Sequence, residues 1–166
     1  MSGPTPPDAV AIRAARPDDL DAIVRLCAAH AAYERAEYDP AGKRERLRAL
    51  LFGPSPRLRA LIAERGGKAV GYATWSEEAS TWDAWLYAHM DCLYLDADAR
   101  GSGAGRLLVA RLAHDALAQG CRLVQWQTPA FNTRAMRFYD RLGATRKEKV
   151  RFYLDEPAMT RLSQGA

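Results

Sequence analysis

The feature that most constrains this chain is a short glycine-rich stretch at residues 100–106, Arg-Gly-Ser-Gly-Ala-Gly-Arg. The apolar run before it, residues 90–95, predicts a buried strand, and residues 107–119 after it predict a helix that ends at Gly120. Glycine lets backbone N–H groups point at one spot without a side chain in the way. The first turn of a helix adds unpaired N–H groups and a partial positive charge. A strand, a glycine loop and a helix in this order therefore predict a binding site for phosphate or diphosphate.

Three kinds of glycine loop bind phosphate groups, and their spacing separates them. A P-loop ends in Gly-Lys-Ser or Gly-Lys-Thr, whereas this loop continues as Gly105-Arg106-Leu107. The dinucleotide-binding loop needs a third Gly or Ala where Arg106 stands, and it normally belongs to the first strand–helix unit. The remaining pattern is Gln or Arg, two residues, Gly, one residue, and Gly or Ala, which Arg100, Gly103 and Gly105 satisfy. A glycine-rich turn before an ordinary core helix is the alternative for the same residues.

A second motif occupies residues 127–144. Asn132 stands at the start of a predicted helix, Phe138-Tyr139 lies inside it, and Leu-Gly-Ala ends it at residues 142–144. With both motifs at this separation, the chain resembles the GNAT superfamily of N-acetyltransferases. Members of that superfamily hold the diphosphate of acetyl-CoA with this type of glycine loop. The resemblance implies an acetyl-CoA-dependent acetyltransferase.

Shorter segments resemble the spermidine/spermine N-acetyltransferase branch, which includes diamine and thialysine acetylators. These segments are residues 32–34, 80–82 and 91–95. The similarity runs from about residue 10 to residue 153. The branch usually has Glu-Asp where this chain has Asp91-Cys92, and Ala88-His89 alters the aromatic-rich wall before it. The resemblance therefore favours an amine substrate without specifying a polyamine.

The element order predicts an α/β (α+β) fold with antiparallel hairpins followed by a helical crossover. We expect strands at residues 9–14, 58–64, 69–76, 88–95, 122–127, 145–149 and 150–154. We expect helices at residues 17–34, 43–52, 107–119 and 134–142. Residues 75–85 are expected to leave the sheet as an excursion. The resemblance implies the GNAT fold, a mixed and mostly antiparallel sheet of six or seven strands flanked by about four helices and splayed between strands 4 and 5.

The domain organisation follows from length and composition. A chain of 166 residues predicts one domain. We expect a flexible leader at residues 1–8, a single N-acetyltransferase domain at 9–156 and a tail at 157–166. The cysteines have no Cys-x-x-Cys spacing, which argues against disulfides and zinc and favours a reducing cytoplasm. No apolar run is long enough for a membrane helix, so we expect no membrane partner, and we expect no metal.

The net charge of +4 has two interpretations. A basic chain can bind nucleic acid, but Lys and Arg are spread along this one and no nucleic-acid motif accompanies them. We therefore expect no nucleic-acid partner and favour a polyanionic cofactor. Four arginines lie at or near the two motifs: Arg100, Arg106, Arg134 and Arg137.

The resemblance also implies which residues hold acetyl-CoA. The expected cofactor-binding residues are Leu93, Tyr94, Leu95, Arg100, Gly101, Ser102, Gly103, Ala104, Gly105, Arg106, Asn132, Arg134 and Tyr139. In the family, the Asn contacts the pantetheine arm or the substrate region, and the Tyr hydroxyl lies near the CoA sulfur. Asn132 can also cap its helix, and Tyr139 can instead pack on the sheet.

Acetyl transfer to an amine needs a proton acceptor, because a free alkylamine has a pKa of about 10.4. Asp91 is the first candidate, and His89 or a water molecule is the alternative. Tyr139 is the candidate donor to the departing thiolate. A backbone N–H near Leu93 can stabilise the developing oxyanion if the strand bulges there. The expected substrate-binding residues are Tyr33, Glu34, Asp91, Gln127 and Glu148.

Competing mechanisms and functions remain open at this point. A covalent acyl-enzyme would use Cys92 or Cys121, although either cysteine can equally be a small core residue. The main hypothesis is direct transfer to a primary amine of a small cationic molecule. The alternatives are acetylation of a protein or peptide amine and a non-catalytic CoA-binding module. By resemblance alone, we expect a homodimer.

Overall fold

The computed structural model describes residues 9–165, so the predicted leader at residues 1–8 lies outside it. Five strands form one sheet in the order β1-β2-β3-β4-β5. They are β1 Ala11–Ala14, β2 Arg59–Arg65, β3 Lys68–Ser80, β4 Trp85–Leu95 and β5 Val124–Gln125. Neighbouring strands are antiparallel except β4 and β5, which are parallel.

Five α-helices accompany the sheet in the described residues. They are α1 Leu20–Glu34, α2 Lys43–Phe52, α3 Ala104–Ala118, α4 Thr133–Arg141 and α5 Glu156–Gln164. The chain divides into two compact units, the first ending at Asn132 and the second starting at Thr133. The sheet and α1–α3 belong to the first unit, and α4 and α5 to the second. Within residues 9–165, no helix is long and apolar enough to cross a lipid bilayer.

One face of the sheet packs against α1 and α2. The buried side chains of this layer are Leu20, Ile23, Leu26, Leu51, Ile62 and Tyr72. The first three recur at helical spacing, which gives α1 its apolar stripe. Each fully buried side chain of this size contributes about 1.5–3 kcal/mol. The stripe therefore fixes α1 on the sheet, and Arg35, with a positive φ of 57°, ends the helix.

Arg13 ties the start of α1 to the sheet edge. Its guanidinium donates to both Asp19 carboxylate oxygens, at 2.7 and 2.8 Å, and to Glu64 Oε2 at 2.8 Å. Hydrogen bonds from Arg13 lower the pKa of Asp19 below its ordinary value. Because both side chains are largely buried, this pair contributes more than an exposed surface pair does.

The opposite face of the sheet packs against α3. Ala104, Leu108, Leu112 and Ala116 are buried at intervals of four residues. Leu61 neighbours Ile62 on β2, so their side chains point to opposite faces, and Leu61 lies on the α3 side. Helices therefore cover both faces of the sheet.

Strand β4 has two irregularities near its carboxyl end. Thr74 pairs with Cys92 while Trp75 pairs with Met90, so Asp91 is an extra residue that forms a β-bulge. On the other side, β5 pairs only with Ala88 and His89 of β4. The last six residues of β4, 90–95, have no partner strand on that side among residues 9–165. The predicted separation of strands 4 and 5 is thus present.

The predicted fold class is confirmed, with some differences in its elements. The described sheet has five strands rather than six or seven, and five helices occur rather than about four. The final strands predicted at 145–149 and 150–154 are irregular backbone. The first of them carries mostly charged residues, which disfavour strands, and the second finds no strand to pair with.

Two further segments differ from the sequence prediction. The expected excursion at residues 75–85 is a hairpin instead, because β3 and β4 remain paired as far as Ser80 and Trp85. The expected tail contains α5, whose first turn is capped by Asp155 accepting from the N–H of Ala158 at 2.8 Å. An acidic cap followed by a proline at 157 is a helix-start signal that the sequence prediction missed.

Candidate active site

The glycine loop has the backbone geometry that an anion site requires. Gly101 and Gly103 both have a φ of 87°, and nothing lies within 4 Å of where a Cβ would stand on either. Within the loop, the main-chain amides of Gly101, Ser102, Gly103, Gly105 and Arg106 have no hydrogen-bond partner among residues 9–165. A side chain at either positive-φ position would be strained, so the glycines keep these amides available.

Helix α3 begins closer to the loop than the sequence predicted. Its first residue is Ala104 rather than residue 107. Ser102 shapes this junction, because its hydroxyl donates to the carbonyl of Ala99 at 2.7 Å and accepts from the N–H of Ala104 at 3.4 Å. The unpaired amides therefore coincide with the positive end of the helix dipole.

The side chain of Arg100 turns toward α1. Its Nε donates to the carbonyl of Leu95, the last residue of β4, at 2.9 Å. Its Cζ lies 4.3 Å from the ring centroid of Tyr33 and 5.3 Å from that of Tyr94. Two residues expected in different roles, Arg100 with the cofactor and Tyr33 with the substrate, thus contact each other.

Next to the rings of Tyr33 and Tyr94, His30 links α1 to the sheet. The imidazole stacks on Tyr94 with centroids 5.3 Å apart, and Nδ1 lies 3.3 Å from the hydroxyl of Tyr72. Its Nε2 lies 3.3 Å from Oε1 of Glu34. Burial raises the pKa of Tyr72 strongly, so this phenol stays protonated. Glu34, an expected substrate contact, is therefore already engaged by His30.

Two exposed ion pairs flank the segment that precedes the loop. Arg25 on α1 lies 3.1 Å from Asp96, and Arg65 at the end of β2 pairs with Asp98. A surface cavity of about 550 Å³ opens beside them, and Lys68 also lines it. Because its charges are largely paired with each other, this cavity is a weaker anion site than the loop amides.

Asp91 lies on a polar face of the β3–β4 hairpin. It is exposed, and it points to the same side as Cys92, whose thiol donates to Asp91 Oδ2 at 3.5 Å. Strand alternation places Glu78, Tyr87 and His89 on this face as well. The Tyr87 hydroxyl donates to Glu78 at 2.6 Å, and this bond raises the pKa of Tyr87. Glu78 lies in the expected excursion at residues 75–85 and Tyr87 lies just before the expected strand at 88–95, so neither is among the predicted site residues.

Not every nearby acid belongs to this face. Glu77 points to the α3 side, where its carboxylate lies 2.7 Å from Arg59. The alternation of side chains along a strand separates it from Glu78. One of the two adjacent glutamates is therefore paired structurally, and the other faces the candidate site.

Both candidate cysteine nucleophiles are held as thiols. Burial, with a further contribution from Asp91, raises the pKa of Cys92 to about 12. Burial also raises the pKa of Cys121. Because the thiolate is the nucleophilic form, these environments disfavour a covalent acyl-enzyme.

The other predicted site residues lie in the second motif or beyond it. In the first unit, Gln127 is exposed just after β5, and Asn132 is buried, with its N–H donating to the carbonyl of Pro129 at 2.9 Å. In the second unit, Arg134 and Tyr139 lie on α4, and Glu148 is exposed in irregular backbone. The roles of these five residues stay predictions.

Comparison with known proteins identifies the family. Residues 23–144 match the acetyltransferase (GNAT) family. The chain is 32% identical to thialysine N-epsilon-acetyltransferase of Bos taurus over 143 residues, which cover 81% of this chain and 84% of the relative. It is 34% identical to phosphinothricin N-acetyltransferase of Alcaligenes faecalis over 109 residues, which cover 63% and 53% respectively.

A solved structure supports the fold. An aminoglycoside acetyltransferase from an uncultured soil metagenomic sample superposes with a TM-score of 0.76 at 20% identity. The superposition covers 88% of this chain and 95% of that protein. The bovine relative confirms the resemblance to the spermidine/spermine and thialysine branch. With most of the sheet and the glycine loop inside the matched region, the chain belongs to the GNAT family and is an N-acetyltransferase.

Proposed function

We propose that this N-acetyltransferase uses acetyl-CoA and acetylates the primary amine of a small cationic molecule. The observation that carries the proposal is the set of five unpaired amides at residues 101, 102, 103, 105 and 106, in a loop whose two exposed glycines have positive φ. A diphosphate accepts hydrogen bonds from such amides and is stabilised by the helix dipole. The loop therefore fits the diphosphate of CoA.

Charge near the loop supports the same assignment. Arg106 is exposed in the first turn of α3, where its cation can approach a bound phosphate. When bound, acetyl-CoA supplies an acetyl group activated as a thioester. The role of the loop is to hold the cofactor, because direct transfer depends on keeping the two reactants together.

The carboxylates on the hairpin face support a cationic substrate. Asp91 and Glu78 lie on one face, and both are exposed. A carboxylate there can first bind the ammonium form of an amine and then accept its proton, directly or through water. We assign the proton acceptor to Asp91. The bulge at Asp91 supports a nearby role for the N–H group of Leu93 at the acetyl oxygen, since a bulge disrupts the local ladder.

The remaining assignments rest on the resemblance. Tyr139 is proposed to protonate the departing thiolate, and Asn132 and Arg134 to contact the cofactor. Relatives named for thialysine and phosphinothricin acetylation support a small amine-bearing substrate. A homodimer and a cytoplasmic location are proposed from the resemblance and the cysteine usage.

A peptide or protein amine is the second candidate substrate. The tip of the hairpin favours it, because Trp82 is 96% exposed and Trp85 is 38% exposed. Exposed aromatic side chains at the edge of an acidic face are suited to contact a longer, lysine-bearing chain. A small amine would contact the carboxylates of this face, whereas a peptide would also contact the tryptophans at the hairpin tip.

Release of free thiol from acetyl-CoA tests the proposal. The panel contains thialysine, lysine, polyamines, aminoglycosides and a lysine-bearing peptide. We expect turnover with at least one small cationic amine and weaker turnover with the peptide. Activity on the peptide alone would favour the second candidate. Absence of turnover across the panel, together with no binding of acetyl-CoA by calorimetry, would refute the proposed function.

A further inference from the structure

The proposed function assigns the phosphate contact to loop amides, but it does not explain what holds the loop in place. Gly101, Ser102 and Gly103 are exposed, and the two glycines, which have the widest backbone freedom in the unfolded chain, adopt positive φ. A loop of this kind pays conformational entropy when it becomes ordered around a ligand. A contact that orders it beforehand therefore raises affinity for the ligand.

Arg100 is placed to supply that contact. It is the first residue of the loop, and its guanidinium is partly buried against Leu95, Tyr33 and Tyr94. The Nε hydrogen bond ties the loop to the end of β4. The ring of Tyr33, 4.3 Å from Cζ, ties it to the last turn of α1. A planar cation held by one carbonyl and two aromatic rings is a more specific anchor than an exposed ion pair.

The two tyrosine rings that contact Arg100 are held by further side chains. Tyr94 stacks on His30, and the centroids of Tyr33 and Tyr94 are 6.4 Å apart in an edge-on arrangement. His30 is held in turn by the buried Tyr72. The same end of α1 also reaches the second motif, because Cζ of Arg35 lies 5.0 Å from the ring of Phe131. The end of α1 is therefore in contact with both motifs.

We infer that Arg100 is a positioning residue, which orders the glycine loop for acetyl-CoA by anchoring it through Tyr33 to the end of α1. Its side chain acts on the loop rather than on the phosphate. This inference rests on the proposed function for the identity of the ligand. The anchoring of the loop is a property of the protein without ligand.

Trypsin cleavage of the ligand-free protein measures the anchor directly. Cleavage between Arg100 and Gly101 requires the arginine side chain to leave its place between the rings. Tyr33→Leu is expected to accelerate cleavage at this bond about three- to tenfold relative to other exposed sites. Tyr33→Phe keeps the ring and is expected to cleave at the wild-type rate. Arg25→Gln removes an exposed ion pair with Asp96 and a hydrogen bond to the carbonyl of Ala69 next to the same segment, but no contact with Arg100, and it serves as the matched control.

Calorimetric titration with CoA separates positioning from direct phosphate binding. If Arg100 positions the loop, Arg100→Lys should weaken CoA about as much as Arg100→Gln, because lysine lacks the planar group and the Nε donor. Tyr33→Leu should weaken CoA about three- to tenfold, with KM for acetyl-CoA rising more than kcat falls. Tyr33→Phe should restore the wild-type dissociation constant.

Three results would contradict the inference. They are full rescue by Arg100→Lys, unchanged CoA affinity in Tyr33→Leu, and unchanged cleavage after Arg100 in that variant. If the wild-type protein fails to bind CoA while Tyr33→Leu still accelerates cleavage, the proposed function fails and the anchor stands. Circular dichroism melting of each variant identifies any loss of affinity that reflects unfolding.

Discussion

Gly103 offers a direct test of the glycine loop as the cofactor site. Its backbone angles are φ 87° and ψ −10°, and nothing lies within 4 Å of where a Cβ would stand. Gly103→Ala therefore adds backbone strain without a steric clash. An L-residue in the left-handed region costs about 1–2 kcal/mol.

This strain lowers the melting temperature of the protein, its affinity for CoA, or both. If the variant keeps the positive φ, the folded state is strained with and without ligand, and the melting temperature falls by roughly 2–8 °C. If the loop relaxes, the strain returns when CoA binds, and the affinity falls about 5- to 30-fold. The two losses together should amount to about 1–2 kcal/mol.

Calorimetry measures both quantities on the same sample, by thermal unfolding and by titration with CoA. Gly66→Ala is the matched control, because Gly66 has a φ of 55° and equally open surroundings in the β2–β3 turn. The control should lose stability without losing affinity for CoA. If Gly103→Ala changes neither quantity, or if the control weakens CoA binding equally, the reasoning about the loop is wrong.

Four further predictions concern the chemistry and the fold. Asp91→Asn should lower kcat/KM by about 10²- to 10⁴-fold and change the pH–rate profile, and an unaltered profile would assign the base elsewhere. Tyr139→Phe should reduce turnover more than CoA affinity, measured by steady-state kinetics and calorimetry, and equal turnover would remove it from the acid role. Cys92→Ala should keep kcat within about threefold, because burial raises the thiol pKa to about 12, whereas loss of activity would favour an acyl-enzyme. Asp19→Asn should cost about 1–2 kcal/mol in urea unfolding at pH 7. Arg13 lowers the pKa of Asp19, so this contribution is present above the ordinary value of 3.8 and is lost as pH falls through the lowered value; a pH-independent difference would contradict the assignment.

The local features of the site could be predicted from sequence because they depend on neighbouring residues. The turn needs positive φ at residues 101 and 103, which glycine adopts without strain, and the apolar run before them indicates a buried strand. The helix predicted at residues 107–119 is present as α3, and it buries Leu108 and Leu112. The start of α3 was placed three residues late, since Ala104, Gly105 and Arg106 were counted with the loop.

The contacts that complete the site could not be predicted in this way. Strands β2, β3 and β4 lie between Tyr33 and Arg100 in the sequence, so no pattern of neighbouring residues indicates that the two side chains are in contact. The extension of the hairpin was missed because its residues are exposed on both strands and lack the apolar run of a buried strand. The separation of Glu77 from Glu78 follows only from knowing that both lie within β3.

The bulge places Asp91 outside the regular pairing of β3 and β4. Residues directly opposite each other on paired strands share a face, and the pairs on either side of Asp91 are Trp75 with Met90 and Thr74 with Cys92. Removal of residue 91 would make these two pairs adjacent, so Tyr94 would stay opposite Tyr72 and would still face α1. A single-residue deletion at this point would therefore remove the acid and keep every rung between the two strands, together with the aromatic support of the loop.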